Sequence, residues 1–337
     1  MFQKLMLGAL LLATAACQPK FAPQTVQVPE PQRPQRVLPT IRVLDAGMTP
    51  HVPVRYRVPS GTTETLYLEL ARAQAMRTGE HGAQNAIPPI QLQVEIGPTE
   101  PTPEGFIRQQ VKITQLRISN MAEKMSPAKR EQMEKVLAPL LNVQGWSEMD
   151  IQGRVRRSEF QGLKELPPNL LSMLANVRTA LLAVPFPDEP LGAQGRWEVE
   201  RRLQFAGIWA NQVVTYLIEK MERNQLQLRI TVRQTASPQP YGNGRLEAYQ
   251  ASVIGTATVR LNDFTSYSEA EATSQMRIVE QTTTGPHLLR INTRTEVRLY
   301  PAEASNEFGA APPEQEPDDP GDGNLIRDPD EQQPESR

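Results

Sequence analysis

Few residues of this 337-residue chain have the types and spacing that chemistry requires. Ser126-Pro127-Ala128-Lys129 has the S-x-x-K spacing, in which a lysine one helical turn away could activate the serine. The K-T-G element that accompanies that pair in penicillin-binding enzymes is absent from the sequence. A serine followed by proline is also a natural helix start, and Ser126 is read here as a cap. His51, His81 and His287 are scattered and read as solvated side chains. Glu269 and Glu271 share one strand face; the alternation around them turns both toward water rather than toward a glycosidic bond. Gly242-Asn243-Gly244 reads as a tight turn between strands. Asp318, Asp322, Gly323 and Leu325 follow a calcium-loop register, but Pro320 and Pro329 fall where ligands belong. The sequence holds no G-x-S-x-G elbow, H-E-x-x-H helix or phosphate-cradling loop. It therefore reads as a non-enzymatic chain, with no catalytic residue, metal ligand or cofactor to name, and it leaves ligand-binding residues open.

One reactive group remains. Cys17 is the only cysteine, so intrachain disulfides and multi-cysteine metal sites are excluded. It follows Lys4, the apolar run from Leu5 to Ala13, and the small residues Thr14, Ala15 and Ala16. That order is a charged, then apolar, then small-residue secretion signal, and the run is too short to span a bilayer. The segment resembles the lipobox of bacterial lipoproteins, with Thr14 where leucine is usual. The resemblance implies cleavage after residue 16 and lipidation of Cys17. Gln18 in place of aspartate at the next position implies the outer membrane. Acyl chains contribute ~0.8 kcal/mol per buried CH₂, and together they hold a protein stably on a bilayer.

Around this anchor the composition is uneven. The whole chain has 36 basic and 38 acidic residues, a net charge of -2. Residues 301–337 hold eleven acidic and two basic side chains, a net of -9, which leaves +7 on the first 300. The overall balance gives no reason to expect nucleic acid as a partner. Residues 17–49 are rich in proline and glutamine and read as an extended tether. Residues 301–337 read as a disordered acidic tail, too poor in apolar groups to offset chain entropy.

Residues 50–300 must then form the folded body. Period-two alternation dominates it, as in Ile90, Leu92, Val94 and Ile96, or Leu226, Leu228, Ile230 and Val232, or Leu289 through Leu299. Further strands are expected at 52–58, 65–75, 106–119, 149–159, 197–205, 211–220, 245–261 and 269–279. Their short connections favour antiparallel pairing. Two helices are expected. One is capped at Ser126, carries Met133, Val136, Leu137, Leu140 and Leu141, and is ended or kinked by Pro139. The other, 167–183, is apolar nearly all round, with Arg178 its only charge, which implies burial on several sides. The fold class expected is α+β: a long, curved, mainly antiparallel sheet wrapping the apolar helix, with a second, shorter helix. A sub-boundary near residue 163 would divide it into two smaller halves. Trp197 is read as an aromatic plug of the core. Arg201 breaks its strand's alternation on the Trp197, Val199 and Leu203 face; snorkelling, pairing with a carboxylate or anchoring a lipid headgroup would each explain it.

The run Val184-Pro185-Phe186-Pro187-Asp188-Glu189-Pro190-Leu191-Gly192-Ala193-Gln194-Gly195-Arg196-Trp197 resembles a family of uncharacterised bacterial envelope lipoproteins. The family is similar in turn to the LolA and LppX carriers, half-open antiparallel barrels around helices. The resemblance covers about residues 166–300. It implies a lipid-anchored protein of the bacterial cell envelope that binds or carries a hydrophobic ligand. Its partners would be the membrane through Cys17 and a lipid or other hydrophobic ligand. The alternative is a structural or assembly factor acting through contacts with another envelope protein.

Overall fold

The structure is a computed structural model. It describes residues 39–78, 81–118, 125–162, 166, 170, 183–205, 207–263, 266–282 and 285–302, all within the compact unit Val37–Arg337. Cys17, the tether up to residue 38 and the tail from residue 303 lie outside the described residues. So does the expected helix at 167–183, apart from Leu170 and Ala183.

Thirteen strands form one sheet. They are β1 (Thr40–Asp45), β2 (Glu64–Thr78), β3 (His81–Pro101), β4 (Ile107–Ile118), β5 (Gln144–Met149), β6 (Val155–Gln161), β7 (Arg196–Phe205), β8 (Ile208–Met221), β9 (Gln225–Ala236), β10 (Gln239–Tyr241), β11 (Gly244–Arg260), β12 (Ser266–Thr282) and β13 (Gly285–Pro301). The order across the sheet is β1-β7-β8-β9-β11-β12-β13-β2-β3-β4-β5-β6, with β10 paired to β11. Every pairing is antiparallel. Two meanders, β2–β6 and β7–β13, are joined where β13 pairs with β2 from Leu289↔Thr78 to Pro301↔Leu66. Strands from both sides of residue 163 therefore lie in one sheet.

The α+β expectation with two helices is overturned. Among the described residues 68% are strand and 8% helical, and the helical run is a single one of 16 residues. The fold is mainly β. The expectation treated a helix as the necessary second layer, but a sheet this wide can supply that layer by curling onto its own apolar face. Met149 of β5 and Ile107 of β4 share an apolar cluster with Trp197 of β7 and Ile41 of β1. Strands near both ends of the order thus meet over one face. Register shifts mark where the sheet bends: β3 is interrupted against β2 beside Pro88 and Pro89, which have no N–H to give, and against β4 at Gly97 and Pro98.

The helical run matches its expected start and stop. Helix α1 (Pro127–Leu137) opens with Ser126 accepting from the Lys129 backbone N–H, and Pro139 lies in a tighter 3₁₀ turn (Ala138–Asn142). Its apolar face is narrower than expected. Leu137 and Leu140 are buried, while Val136 and Leu141 are exposed.

Two other strand expectations fail locally. Residues 149–159 are a hairpin, not one strand. Asp150 accepts from the N–H groups of Gln152 and Arg154, and Gly153 turns the chain at φ +78°. Residues 52–58 carry only one bridge, Val52↔Leu191, and pack as a plug rather than a strand. Strand β1, which pairs with β7, falls inside the stretch read as a tether.

The first core lies over β2, β3 and β4. Leu66, Leu68, Leu92 and Val94 are fully buried there under Leu137 and Leu140, and Leu166 and Leu170 join them. Leu92 is fully buried there, paired with Leu68 on β2 and Leu116 on β4. Leu92→Ala is expected to lower unfolding free energy by ~2–5 kcal/mol, read as a reduced midpoint in urea denaturation.

Candidate ligand-binding face

The pleat places alternate residues on the inner face, and the register aligns them into rows across the strands. One row runs Ile41, Val199, Val214, Val232, Val253, Ala272, Thr295, Arg72. The next row toward the start of β7 runs Trp197, Tyr216, Ile230, Gly255, Ala270, Val297, Leu70. Trp197, Val199, Val214 and Tyr216 on β7 and β8 are buried, as is Leu70 on β2, while the row ends Ile41 and Arg72 are half-buried. The middle members on β9, β11, β12 and β13 are only half-buried. The inner face is thus a trough, packed along β7 and β8 and at Leu70 on β2, with a half-buried floor between. The floor mixes β-branched side chains with the small residues Gly255, Ala270 and Ala272, and Gly255 is required there. A Cβ on it would lie 2.5 Å from the Glu269 carbonyl oxygen and 2.7 Å from the Ala270 Cβ.

One end of the trough is closed by an aromatic plug. Trp197 is fully buried, stacks on Tyr216 with ring centres 5.0 Å apart, and meets Phe186 at 5.7 Å; Phe186 meets Tyr56 at 5.3 Å. Its indole N–H donates to the Pro185 carbonyl at 2.9 Å. The Tyr56 hydroxyl donates to the Val184 carbonyl at 3.2 Å and accepts from the Val184 N–H at 3.0 Å. Burial pushes the hydroxyl of Tyr56 far above the ordinary phenol value and that of Tyr216 up to about 12. Both are fixed neutral at physiological pH. Trp197 is therefore a core plug, as its sequence position suggested.

Beyond the valine row lies a polar one: Arg201, Gln212, Gln234, Ala251, Ser274, Thr293, Gln74. Arg201 is half-buried, and its Nε donates to Gln212 Oε1 at 2.5 Å. Gln212 is itself 2% exposed. Tyr249 donates to Gln234 Oε1 at 2.9 Å, and burial raises its hydroxyl to about 12. Burial holds the Arg201 guanidinium below its usual value, partly offset by Tyr216. Of the three sequence readings for Arg201, pairing with a carboxylate is not what the structure has: its partner is an amide. Arg72, on the other arm, is half-buried, is lowered by burial, and has an unpartnered Nε. Past this belt a third apolar cluster, with Ile208, Leu246, Tyr249 and Ile278, lines the far end.

The outer face is different in kind. Glu269 and Glu271 face solvent, as expected, and they pair with Arg298 and Arg294 respectively, each at 3.0 Å. On β4–β6, Arg108 bonds the buried Glu148 and lies with Arg157 against Trp146. The polar cleft beside them, about 350 Å³, mixes Glu100, Glu104 and Glu148 with Arg108, Arg156 and Arg157. His51 bonds the Gly47 carbonyl, while His81 and His287 lie on β3 and β13. Among the described residues no group of His, Cys, Asp and Glu could hold a metal ion. Among them, too, no helix is long and apolar enough to cross a membrane. Neither a family model nor a curated protein matches the chain.

Sequence reasoning found Arg201 because it interrupts an apolar alternation. It missed Gln212, Gln234 and Arg72, whose roles depend on which strands are neighbours.

The plug gives a direct test. Tyr56→Phe leaves a buried carbonyl and N–H of Val184 without their partner. It should cost ~1–3 kcal/mol in thermal or urea unfolding, without loss of the strand signal in far-ultraviolet circular dichroism.

Proposed function

We propose that this chain is a lipid-anchored protein of the bacterial cell envelope, held through Cys17, which binds or shields a hydrophobic ligand in its trough without catalysing a reaction. The observation that carries this reading is the half-buried, mainly apolar floor between the packed β7–β8 arm and Leu70 on β2. An apolar surface left partly open to water gains free energy when a greasy ligand covers it, ~25 cal/mol per Å² removed from solvent. The closed end would keep the ligand from sliding through, and the salt-bridged outer face would keep the complex soluble. The secretion signal and the lipobox resemblance support the cellular address.

Two measurements test the reading. The delipidated full chain should enhance the fluorescence of N-phenyl-1-naphthylamine, a neutral apolar probe, in a saturable way. Ala272→Phe, which fills the floor, should weaken that uptake at least tenfold. Absence of saturable uptake by the wild-type chain would remove the proposal. Radiolabelled palmitate should enter the protein in bacterial cells, and Cys17→Ser should abolish its incorporation.

A further inference from the structure

A guanidinium at the wall of an apolar trough is expensive to keep unless something shares its charge. Among the described residues Arg201 has no carboxylate as a hydrogen-bond or ion-pair partner, and the valine and polar rows described above contain no acidic residue. On the outer face Arg294, Arg298, Arg229 and Arg42 are each bonded to a glutamate. Arg202, Arg233 and Arg277 on that outer face have no carboxylate partner among the described residues either, but they are exposed to water, whereas Arg201 is half-buried.

The hydrogen bonds around Arg201 also have a direction. Gln212 uses its carbonyl oxygen to accept from Arg201, and Gln234 uses its own to accept from Tyr249. What these two amides have left to offer is N–H. The Arg201 Nε is committed, and the terminal guanidinium nitrogens are donors only. Three neighbouring strands, β7, β8 and β9, thus present surplus donors at one level of the trough. Surplus donors around an uncompensated positive charge are the complement of a carboxylate or phosphate, which a guanidinium can grip with two parallel bonds.

We propose that Arg201, with the side-chain amides of Gln212 and Gln234, is an anion anchor for a long-chain amphiphile. It takes the carboxylate or phosphate headgroup while the tail lies on the adjoining floor around Val232, Val253 and Ala272. The inference rests on the trough reading above and makes it specific: the ligand is an anionic amphiphile, not a neutral one.

The test is displacement of N-phenyl-1-naphthylamine from the full chain by palmitate, by palmitoyl lysophosphatidate and by monopalmitoylglycerol, which share one tail. The two anionic amphiphiles should displace the probe at concentrations at least tenfold lower than the glyceride. Arg201→Gln should erase that advantage and leave displacement by the glyceride unchanged; Arg201→Lys should keep part of it. The unfolding midpoint of Arg201→Gln should equal or exceed that of the wild type, because a half-buried charge without a counter-charge has been removed. A lower midpoint together with weakened glyceride displacement would make Arg201 a structural residue and overturn the anchor. Equal displacement by all three amphiphiles in the wild type would overturn the anchor and leave the trough standing. Probe uptake that fails altogether would overturn both. Inorganic phosphate that cancels the anionic advantage at micromolar concentration would replace the amphiphile with a free anion.

Discussion

A sheet of alternating pattern has one face that water rejects. Here that face spans a twelve-strand path, more than the described helix could cover, since α1 and its 3₁₀ extension lie only against the β2–β4 arm. The sheet instead curls, and side chains from β4 and β5 share one apolar cluster with those from β1 and β7, with Tyr56 and Phe186 in the same cluster. Everything else follows from that closure. The aromatic plug fills the place where the two arms converge. The trough is the part of the face that the closure leaves half-buried.

Much of the architecture was legible because β-periodicity is local. The alternations in β3, β9 and β13, the cap at Ser126 and the break at Pro139 depend on residues a few positions apart, and all appear in the structure. Local signals were also overlooked: Asp150 and Gly153 are turn residues, and reading through them merged β5 and β6. Residues 52–58 alternate well enough for a strand, yet their backbone bonds go to the Leu191 carbonyl, the 150–154 turn and Leu261. No pattern within the segment reveals those partners. The fold class failed for a related reason. Whether a sheet needs helices as its second layer depends on how far it curls, and curvature arises from bulges spread over several strand pairs.

The same limit governs the candidate site. Arg201 stood out in one strand as a charge on an apolar face. That its neighbour is Gln212 and the next is Gln234 follows from the order β7-β8-β9 and from register, which places residues 201, 212 and 234 side by side. That two half-buried inner-face arginines, Arg201 and Arg72, have no carboxylate partner among the described residues is likewise a property of the folded sheet. Composition, with its net charge of -2, conceals it.

The seam between β13 and β2 has a consequence for biogenesis. β2 leaves the ribosome more than two hundred residues before the strand that completes it. Until then the first meander has an open flank of unpaired backbone groups, the kind of border that recruits foreign strands. Such long-range pairing is also slow to form. A chain exported amino end first would carry that vulnerable border across the membrane, and escort by a holdase during transit would suit its topology better than spontaneous, sequential folding.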